Sequence, residues 1–230
     1  ERFVSSESMV DSWKISRGII NDAELNHIKV TAEEKVKSLG IFIDDTPGID
    51  LFELRSKARR MVKTDKVGLI IIDYLQLMSG TKGRNENREQ EISSISRGLK
   101  ALAKELQVPI IALSQLSRGV ETKKGGVPQL SDLRESGAIE QDADMVIFLM
   151  NPEESAKAED ASLKDSLLLK IAKHRNGPLD TISIKFVKEI QKIMSNVDYD
   201  QWMYLKQNPG MRAVDLPPVF NPDIDEELPF

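Results

Sequence analysis

The sequence contains no cysteine, only two histidines and no long apolar run. Without cysteine there can be no disulfide framework, no thiolate metal site and no cysteine nucleophile. The two histidines, His27 and His174, are too few for a histidine-rich metal centre. No apolar run approaches the ~20 residues that a membrane-spanning helix needs. These absences exclude several classes of metalloprotein and membrane protein, and they agree with a reducing compartment.

Most of the net charge of −5 lies at the carboxyl end. Residues 208–230 contain Arg212 against five acidic side chains, so this segment carries four of the five net negative charges. The rest of the chain is nearly neutral and has local basic clusters, which leaves nucleic acid open as a partner. From about residue 198 the chain is rich in proline and acids, which predicts an extended, mostly disordered tail. The opening residues ERFVSSES have no methionine and no signal-peptide core, and we expect a fragment whose true start lies upstream.

Helical and strand patterns alternate along the chain. Apolar residues recur at helical spacing in 21–39, 50–63 and 88–107, and a short helix is predicted around 133–143. Apolar runs between them predict strands at 41–45, 68–73, 108–115 and 144–150. Strands that are apolar on both faces are typical of a parallel sheet covered by helices on each side. Residues 165–187 predict two further strands joined at Asn176-Gly177-Pro178, which would extend the edge of this α/β sheet as an antiparallel hairpin.

Asp73 ends the most apolar run of the chain, GLIIID. In a parallel sheet, ligands bind beyond the carboxyl ends of the strands. An acid at that position can hold the water shell of a Mg²⁺ ion that bridges nucleotide phosphates, which is the Walker B arrangement. The alternative is a buried strand that simply ends at a polar residue.

Ser114 and Gln115 end the apolar strand VPIIALSQ. A neutral amide at the same edge of the sheet can sense a γ-phosphate or an attacking water and relay its presence to an adjoining loop. The alternative is an amide bonded to the backbone at the end of a strand.

The segment KIAKHRNGP places two cations close together on one strand. Alternation along a strand puts Lys173 and Arg175 on one face and His174 on the other. Two neighbouring cations repel unless something anionic lies between them, and a phosphate suits an arginine that can bind it through two hydrogen bonds. The alternative is a solvated edge strand with basic side chains.

The segment SDLRESGAIEQDAD lies beside two polar loops at 79–90 and 118–129. Arg134, Glu135 and Gly137 stand at the start of its predicted helix. Backbone amides and one arginine at such a position can follow a sugar-phosphate backbone without reading bases. The alternative is a capped surface helix.

Taken together, four segments resemble the C-terminal motor domain of the DnaB-type replicative DNA helicases. They are IIIDYLQLM, ISRGLKALAKELQVPIIALSQLSR, DLRESGAIEQDAD and KHRNGP, in the order and spacing typical of that family. The resemblance implies a RecA-like motor domain over residues 1–195. The Pro-rich acidic tail predicted from composition would cover 196–230 and departs from the family pattern. The resemblance also implies a homo-hexameric ring that encircles single-stranded DNA and translocates 5′→3′, with ATP bound between neighbouring subunits.

The same resemblance implies roles for single residues. Asp73 would be the Walker B acid that holds Mg²⁺ through water, and Gln115 would be the switch between nucleotide and DNA. Lys173 and Arg175 would reach the phosphates bound to the next subunit. Arg134, Glu135 and Gly137 would lie in the loop that contacts DNA. Primase and a helicase loader would be partners, in the cytoplasm and near the nucleoid of a bacterium or phage-infected cell.

One departure from the family pattern concerns the phosphate-binding loop. These 230 residues contain no GxxxxGK[ST] motif, and in GTKGRNEN the lysine precedes the second glycine and no hydroxyl follows. We therefore expect the chain alone to hydrolyse ATP poorly, as a truncated piece of a helicase. The alternative is a catalytically incomplete RecA-fold module, split or regulatory, that binds DNA or partners without hydrolysing ATP.

The last residues, DIDEELPF, resemble the acidic tip of bacterial single-stranded-DNA-binding proteins. In such a tip the acids steer the peptide toward a basic partner, and the terminal phenylalanine, here Phe230, supplies apolar burial. This predicts a replication partner for the tail, and unchanged capture of replication proteins after deletion of Leu228 to Phe230 would contradict it. The alternative is a disordered tail that only adds solubility.

Overall fold

Capping side chains set the start of two predicted helices. Asn21 Oδ1 accepts a hydrogen bond from Glu24 N at 2.8 Å, and Asp50 Oδ1 accepts one from Glu53 N at 2.8 Å. Each side chain satisfies an amide that the first helical turn leaves without a partner. The helix predicted over 21–39 begins at Asp22 and continues through a π-helical turn at Ala32–Val36.

The computed structural model of the chain describes residues 1–79, 88–117, 127–133, 137–151 and 165–207. The helices are α1 Arg2–Ser8, α2 Ser12–Arg17, α3 Asp22–Thr31, α4 Leu51–Thr64, α5 Arg88–Leu106, α6 Gly137–Asp142 and α7 Asn196–Gln207. The strands are β1 Ile70–Ile72, β2 Ile110–Ala112, β3 Met145–Met150, β4 Ser166–His174, β5 Asp180–Val187 and β6 Lys192–Met194. In this part of the chain, no helix is long and apolar enough to cross a membrane.

The chain divides into two units. The first comprises residues 1–39, 151–169 and 181–230, and the second comprises residues 40–150 and 170–180. The predicted site residues that the structure describes belong to the second unit: Asp73, Gln115, Gly137, Lys173 and Arg175.

The strands form two sheets. β1 and β2 pair in parallel, with Ile72 opposite Ala112. β3, β4, β5 and β6 follow one another in the second sheet, and β5 and β6 are antiparallel. The predicted parallel pairing of β1 with β2 is therefore present, and the predicted hairpin strands β4 and β5 are neighbours. The strand predicted at 144–150 is present as β3, but it joins the hairpin strands and not the β1–β2 pair. The hairpin gains a third strand, β6, that the sequence analysis did not predict.

The segment 41–45, predicted as a strand, is not one. Its residues form no strand in the structure, and Ile43 is 80% exposed. Alternating apolar residues favour an extended chain, but a strand also needs a partner that satisfies its backbone groups. As a result, β2 is the only strand that pairs with β1 in the described part of the chain.

The core of the second unit lies between the β1–β2 pair and α5. Ile92, Ile95 and Leu102 of α5 are at most 2% exposed, and Ile92 and Ile95 pack with Ile72 and Leu75. Burying each such side chain contributes ~1.5–3 kcal/mol to folding. Alternate residues on the opposite face of the two strands are exposed, although parallel sheets are usually buried on both faces. They are Leu69, Ile71, Ile111 and Leu113.

Residues 198–207, at the start of the predicted extended tail, are helical. The expectation of an extended chain is therefore wrong for this segment. Ser195 Oγ accepts a hydrogen bond from Asp198 N at 3.0 Å and caps α7. Tyr199 and Trp202 of α7 pack on a buried cluster in the first unit that comprises Val187, Ile190 and Met194. Residues 208–230 lie outside the described part of the chain.

Candidate nucleotide-binding site

The structure brings Asp73 and Gln115 to the same edge of the parallel pair. Asp73 directly follows β1, and Gln115 lies three residues beyond the end of β2. Backbone hydrogen bonds continue the pairing to this edge, from Leu113 N to Ile72 O at 2.9 Å and from Leu75 N to Leu113 O at 2.9 Å. The two residues therefore lie where the carboxyl ends of parallel strands meet.

Both side chains are open to solvent. Asp73 and Gln115 are exposed, and no side-chain hydrogen bond or ion pair involves either of them within the described ranges. A carboxylate is the kind of oxygen ligand that Mg²⁺ prefers, directly or through its water shell. Asp73 thus fits the role of a magnesium ligand, because no cation among the described residues pairs with its oxygens.

Gln76 is a residue of this edge that the sequence analysis missed. Its Nε2 donates to Ser114 Oγ at 3.0 Å, and its Oε1 accepts from Gln115 N at 3.3 Å. Arg88 Nη2 donates to Gln76 O at 2.6 Å. Gln76 therefore links the ends of β1 and β2 to the start of α5. The signal in the sequence was a single amide inside the apolar run YLQLM.

A cavity of about 940 Å³ lies beside Asp73. It is lined by residues of the segment 40–49, by one side of α4 and by β1. Asp44 lies in its wall and pairs with Lys57 at 2.8 Å. The hydrogen bond from Lys57, and then those from Thr46, lower the pKa of Asp44 to about 2.

Lys173 and Arg175 lie on one side of the hairpin, as strand alternation predicts. Lys173 Nζ and Arg175 Nη2 both donate to Gln141 O, at 3.4 and 3.3 Å. His174 points elsewhere, with its Nδ1 3.3 Å from Pro178 O.

The two cations need no phosphate between them in this structure. Lys173 also donates to Glu140 O, and Arg175 Nη1 lies 3.3 Å from Asp144 Oδ1. The carbonyl groups belong to the last turn of α6, which carries partial negative charge. The anionic partner that the sequence analysis expected is supplied here by Asp144 together with two carbonyl groups, and the binding of a phosphate by the two cations stays a prediction.

The two pairs of predicted site residues lie beside different parts of α5. Arg88, at the start of α5, bonds to Gln76 beside the Asp73 edge, and Lys100 of α5 pairs with Asp144 beside Arg175. Lys100 follows Arg88 by twelve residues, which is about 18 Å along a helix that rises 1.5 Å per residue. Within the described residues no hydrogen bond or ion pair joins the two pairs. The contacts of the two pairs with α5 are therefore about three turns of this helix apart.

The predicted DNA-contacting residues are described only in part. Gly137 is exposed and begins α6. Arg134 and Glu135 lie outside the described residues, as do most of the loops predicted at 79–90 and 118–129.

Comparison with known proteins assigns the chain to a family. Residues 1–195 match the family of the DnaB-like helicase C-terminal domain. The chain therefore belongs to the DnaB-like helicase C-terminal domain family, and its α/β fold is the RecA-like fold of these domains.

Two curated relatives are replicative DNA helicases. The chain is 44% identical over 194 residues to the replicative DNA helicase DnaC of Bacillus subtilis (strain 168), covering 84% of this chain and 42% of the relative. It is 44% identical over 201 residues to the replicative DNA helicase DnaB of Geobacillus stearothermophilus, covering 84% of this chain and 44% of the relative. The chain thus spans less than half the length of these two relatives.

Two solved structures have a similar fold. One is the ATPase domain of G40P, with a TM-score of 0.76 and 38% identity, covering 84% of this chain and 68% of the other. The second is a DnaB-like replicative helicase described with its interactions with primase, with a TM-score of 0.75 and 37% identity. The match covers 84% of this chain and 46% of that structure's chain.

Proposed function

We propose that this chain is part of the motor domain of a replicative DNA helicase. In this proposal a homo-hexameric ring binds ATP between neighbouring subunits, encircles single-stranded DNA and moves 5′→3′ along it. Family membership supports the proposal, because the curated relatives are replicative DNA helicases. Primase, a loader and a cytoplasmic site of action belong to the same proposal, and a similar helicase has been solved in a study of its interactions with primase.

The observation that carries the proposal is the separation of the two pairs of residues. Asp73 and Gln115 lie beside one end of α5, and Lys173 and Arg175 lie near Lys100 of the same helix. In a head-to-tail ring, each subunit presents one surface to one neighbour and a different surface to the other. Such a ring can place the acid of one subunit opposite the cations of the next.

Each residue then has a defined task. Asp73 would hold Mg²⁺ through its water shell, and Gln115 would report the state of the bound phosphate. Bound Mg²⁺–ATP would supply the transferable phosphoryl group, and Lys173 and Arg175 would stabilise its charge from the neighbouring subunit. Arg134, Glu135 and Gly137 would contact the DNA backbone.

A mixing experiment tests this arrangement in the full-length gene product. Asp73→Asn and Arg175→Ala remove opposite sides of one interface, so each pure ring should lose nearly all DNA-stimulated ATP turnover. In rings assembled from equal amounts of the two variants, about a quarter of the interfaces would keep both groups because head-to-tail order is random. Turnover should therefore return in mixed rings. No recovery at any mixing ratio would contradict a role across the interface.

The catalytically incomplete module is the second candidate. This candidate requires that the full-length gene product also lack the GxxxxGK[ST] motif that these 230 residues do not contain. Under this reading the full-length gene product binds DNA or a ring of another protein, and ATP turnover stays at background with or without single-stranded DNA. ATP turnover by the unmodified protein separates the two candidates.

The role of the acidic tail stays a prediction. Residues 208–230 lie outside the described part of the chain, and the matched family region ends at residue 195. The boundary between a motor domain at 1–195 and a tail at 196–230 belongs to the proposal as well. The first part of that tail contributes helix α7.

A further inference from the structure

Asp144 is one of the residues that connect the cation-bearing hairpin to the rest of the second unit. It lies between α6 and β3, and its backbone oxygen accepts a hydrogen bond from Arg175 N at 2.8 Å. Its carboxylate pairs with Arg175 Nη1 at 3.3 Å and also with Lys100 of α5. Arg175 is therefore held to Asp144 through both its backbone and its side chain.

The charge of Asp144 is stabilised by three neighbouring cations. The hydrogen bond from Lys100 lowers the pKa of Asp144 most, and the charges of Arg175 and Lys104 lower it further. The Asp144 side chain is 61% exposed and ionised at neutral pH, and the cations that face it favour its charged form further. Asp144 thus offers Arg175 a negative partner that does not depend on any ligand.

Arg175 can bind a second partner while it contacts Asp144. The Arg175 side chain is 50% exposed, so half of it stays accessible while Nη1 and Nη2 contact Asp144 and Gln141 O. A guanidinium has five donors in a fixed planar arrangement, and two anchored nitrogens do not exhaust them. A side chain that is already ordered loses less entropy when it binds a phosphate.

We propose that Asp144 is a positioning residue for Arg175, with Lys100 as its anchor on α5. Asp144 fixes the direction in which Arg175 leaves the hairpin and ties the hairpin to the carboxyl end of α6. This inference rests on the proposed function, in which Arg175 reaches the phosphates bound to a neighbouring subunit.

The loss of Asp144 should also affect the predicted DNA contact, through helix α6. Lys173 and Arg175 hold the carbonyl groups at its last turn, and Gly137 is its first residue. A helix of six residues is about 9 Å long, so a shift at one end is passed to the other as a rigid movement. Loss of Asp144 should therefore weaken the stimulation of ATP turnover by DNA, beyond any loss in the basal rate.

The experiment compares Asp144→Asn with the unmodified full-length gene product. We expect kcat for DNA-stimulated ATP turnover to fall on the order of 10-fold, because a misplaced reacting group loses orientation, while KM changes little. Asp144→Glu should restore most of the rate, and Lys100→Met should reproduce part of the loss. Glu140→Gln is the matched control, because it neutralises an acid on α6 and keeps the backbone carbonyl that Lys173 uses.

Crystal structures of the same variants separate this inference from the proposed function. In Asp144→Asn we expect Arg175 to leave its place or become disordered, whether or not the protein hydrolyses ATP. Arg175 in an unchanged position, together with unchanged kcat and unchanged DNA stimulation, would overturn the inference. If the unmodified protein shows no ATP turnover, the proposed function fails, and the position of Arg175 in the variant still decides the role of Asp144.

Discussion

The Asp73–Gln115 edge and the Lys173–Arg175 hairpin are held in opposite ways. At the edge, the exposed side chains of Asp73 and Gln115 make no side-chain hydrogen bond or ion pair within the described residues, while Gln76 ties the strand ends behind them. At the hairpin, both cations contact the carboxyl end of α6, and Arg175 also contacts Asp144. The edge therefore presents side chains that have no side-chain partner among the described residues, on strand ends that Gln76 links. The hairpin presents side chains that are held by hydrogen bonds and an ion pair.

This difference fits the tasks proposed for the two regions. An acid that binds a hydrated metal ion must exchange partners in each cycle, so a permanent cationic partner would compete with the metal. An arginine that acts across a subunit interface gains from being ordered in advance, because the entropy cost is then met before the phosphate arrives. Substitutions should therefore separate activity from stability at the edge and combine them at the hairpin.

The largest effect is expected from Asp73→Asn. ATP turnover of the full-length gene product should fall on the order of 10²-fold or more, because the charge that holds the hydrated metal is lost. The thermal midpoint should stay the same, since the described residues give the Asp73 carboxylate no partner to lose. Turnover and thermal unfolding are measured on the same preparation.

The matched control for Asp73→Asn is Asp45→Asn, which removes a second exposed acid from the wall of the same cavity. It should change neither quantity. If Asp73→Asn lowered the thermal midpoint clearly more than this control, the carboxylate would have a structural role, and the contrast between the two regions would be lost.

A smaller effect is expected from Gly177→Ala in the hairpin turn. A Cβ atom at Gly177 would lie 2.2 Å from His174 Cε1 and 2.3 Å from His174 Nδ1, so the ring must move. We expect a loss of ~1–3 kcal/mol in the free energy of unfolding, together with lower turnover because Arg175 is the next residue after His174. Denaturant unfolding and ATP turnover measure the two losses.

The double variant His174→Ala/Gly177→Ala removes the ring that the new methyl group meets. Its stability should be higher than the sum of the single effects predicts, which a double-mutant cycle detects. Gly40→Ala is the control, because no atom lies within 4 Å of its new Cβ. Additive single effects would show that the clash does not cause the loss.

The parts of the site that follow from local pattern were predictable. The apolar stripe of α5 identifies Ile92 and Ile95 as core residues, and both are buried. The carboxyl ends of neighbouring parallel strands coincide, so two apolar strands ending in Asp73 and Gln115 were enough to place these residues at one edge. Because side chains alternate between the two faces of a strand, the sequence also predicted that Lys173 and Arg175 lie on one side of the hairpin.

The parts that depend on distant partners were not predictable. The carbonyl groups that hold Lys173 lie more than 30 positions earlier in the chain, and backbone groups leave no mark in a sequence. The segment 41–45 has the alternation of a strand, yet pairing depends on a neighbour that the pattern does not specify. Helix α7 did have a local signal, since Ser195 and Asp198 have the spacing of a helix cap, but the acidic composition that follows concealed it.

The smallest effect is expected from Asp44→Asn, which contrasts two acids beside the same cavity. Lys57 and Thr46 hold Asp44 and lower its pKa from 3.8 to about 2, whereas Asp73 has no such partners among the described residues. A carboxylate whose pKa is lowered in the folded state stabilises the fold above its unfolded pKa, and this contribution disappears as the pH falls through the folded value. Stability in the unmodified protein should therefore decrease between pH 3.8 and about 2 partly through Asp44.

In Asp44→Asn this part of the acid limb should be flatter than in the unmodified protein. The effect is small because the Asp44 side chain is 39% exposed and its pair with Lys57 is screened by solvent. Thermal midpoints measured in low-salt buffers across this pH range give the comparison, and added salt should reduce the difference between Asp44→Asn and the unmodified protein. An acid limb of equal slope in Asp44→Asn and in the unmodified protein would mean that the pair with Lys57 does not stabilise the folded protein.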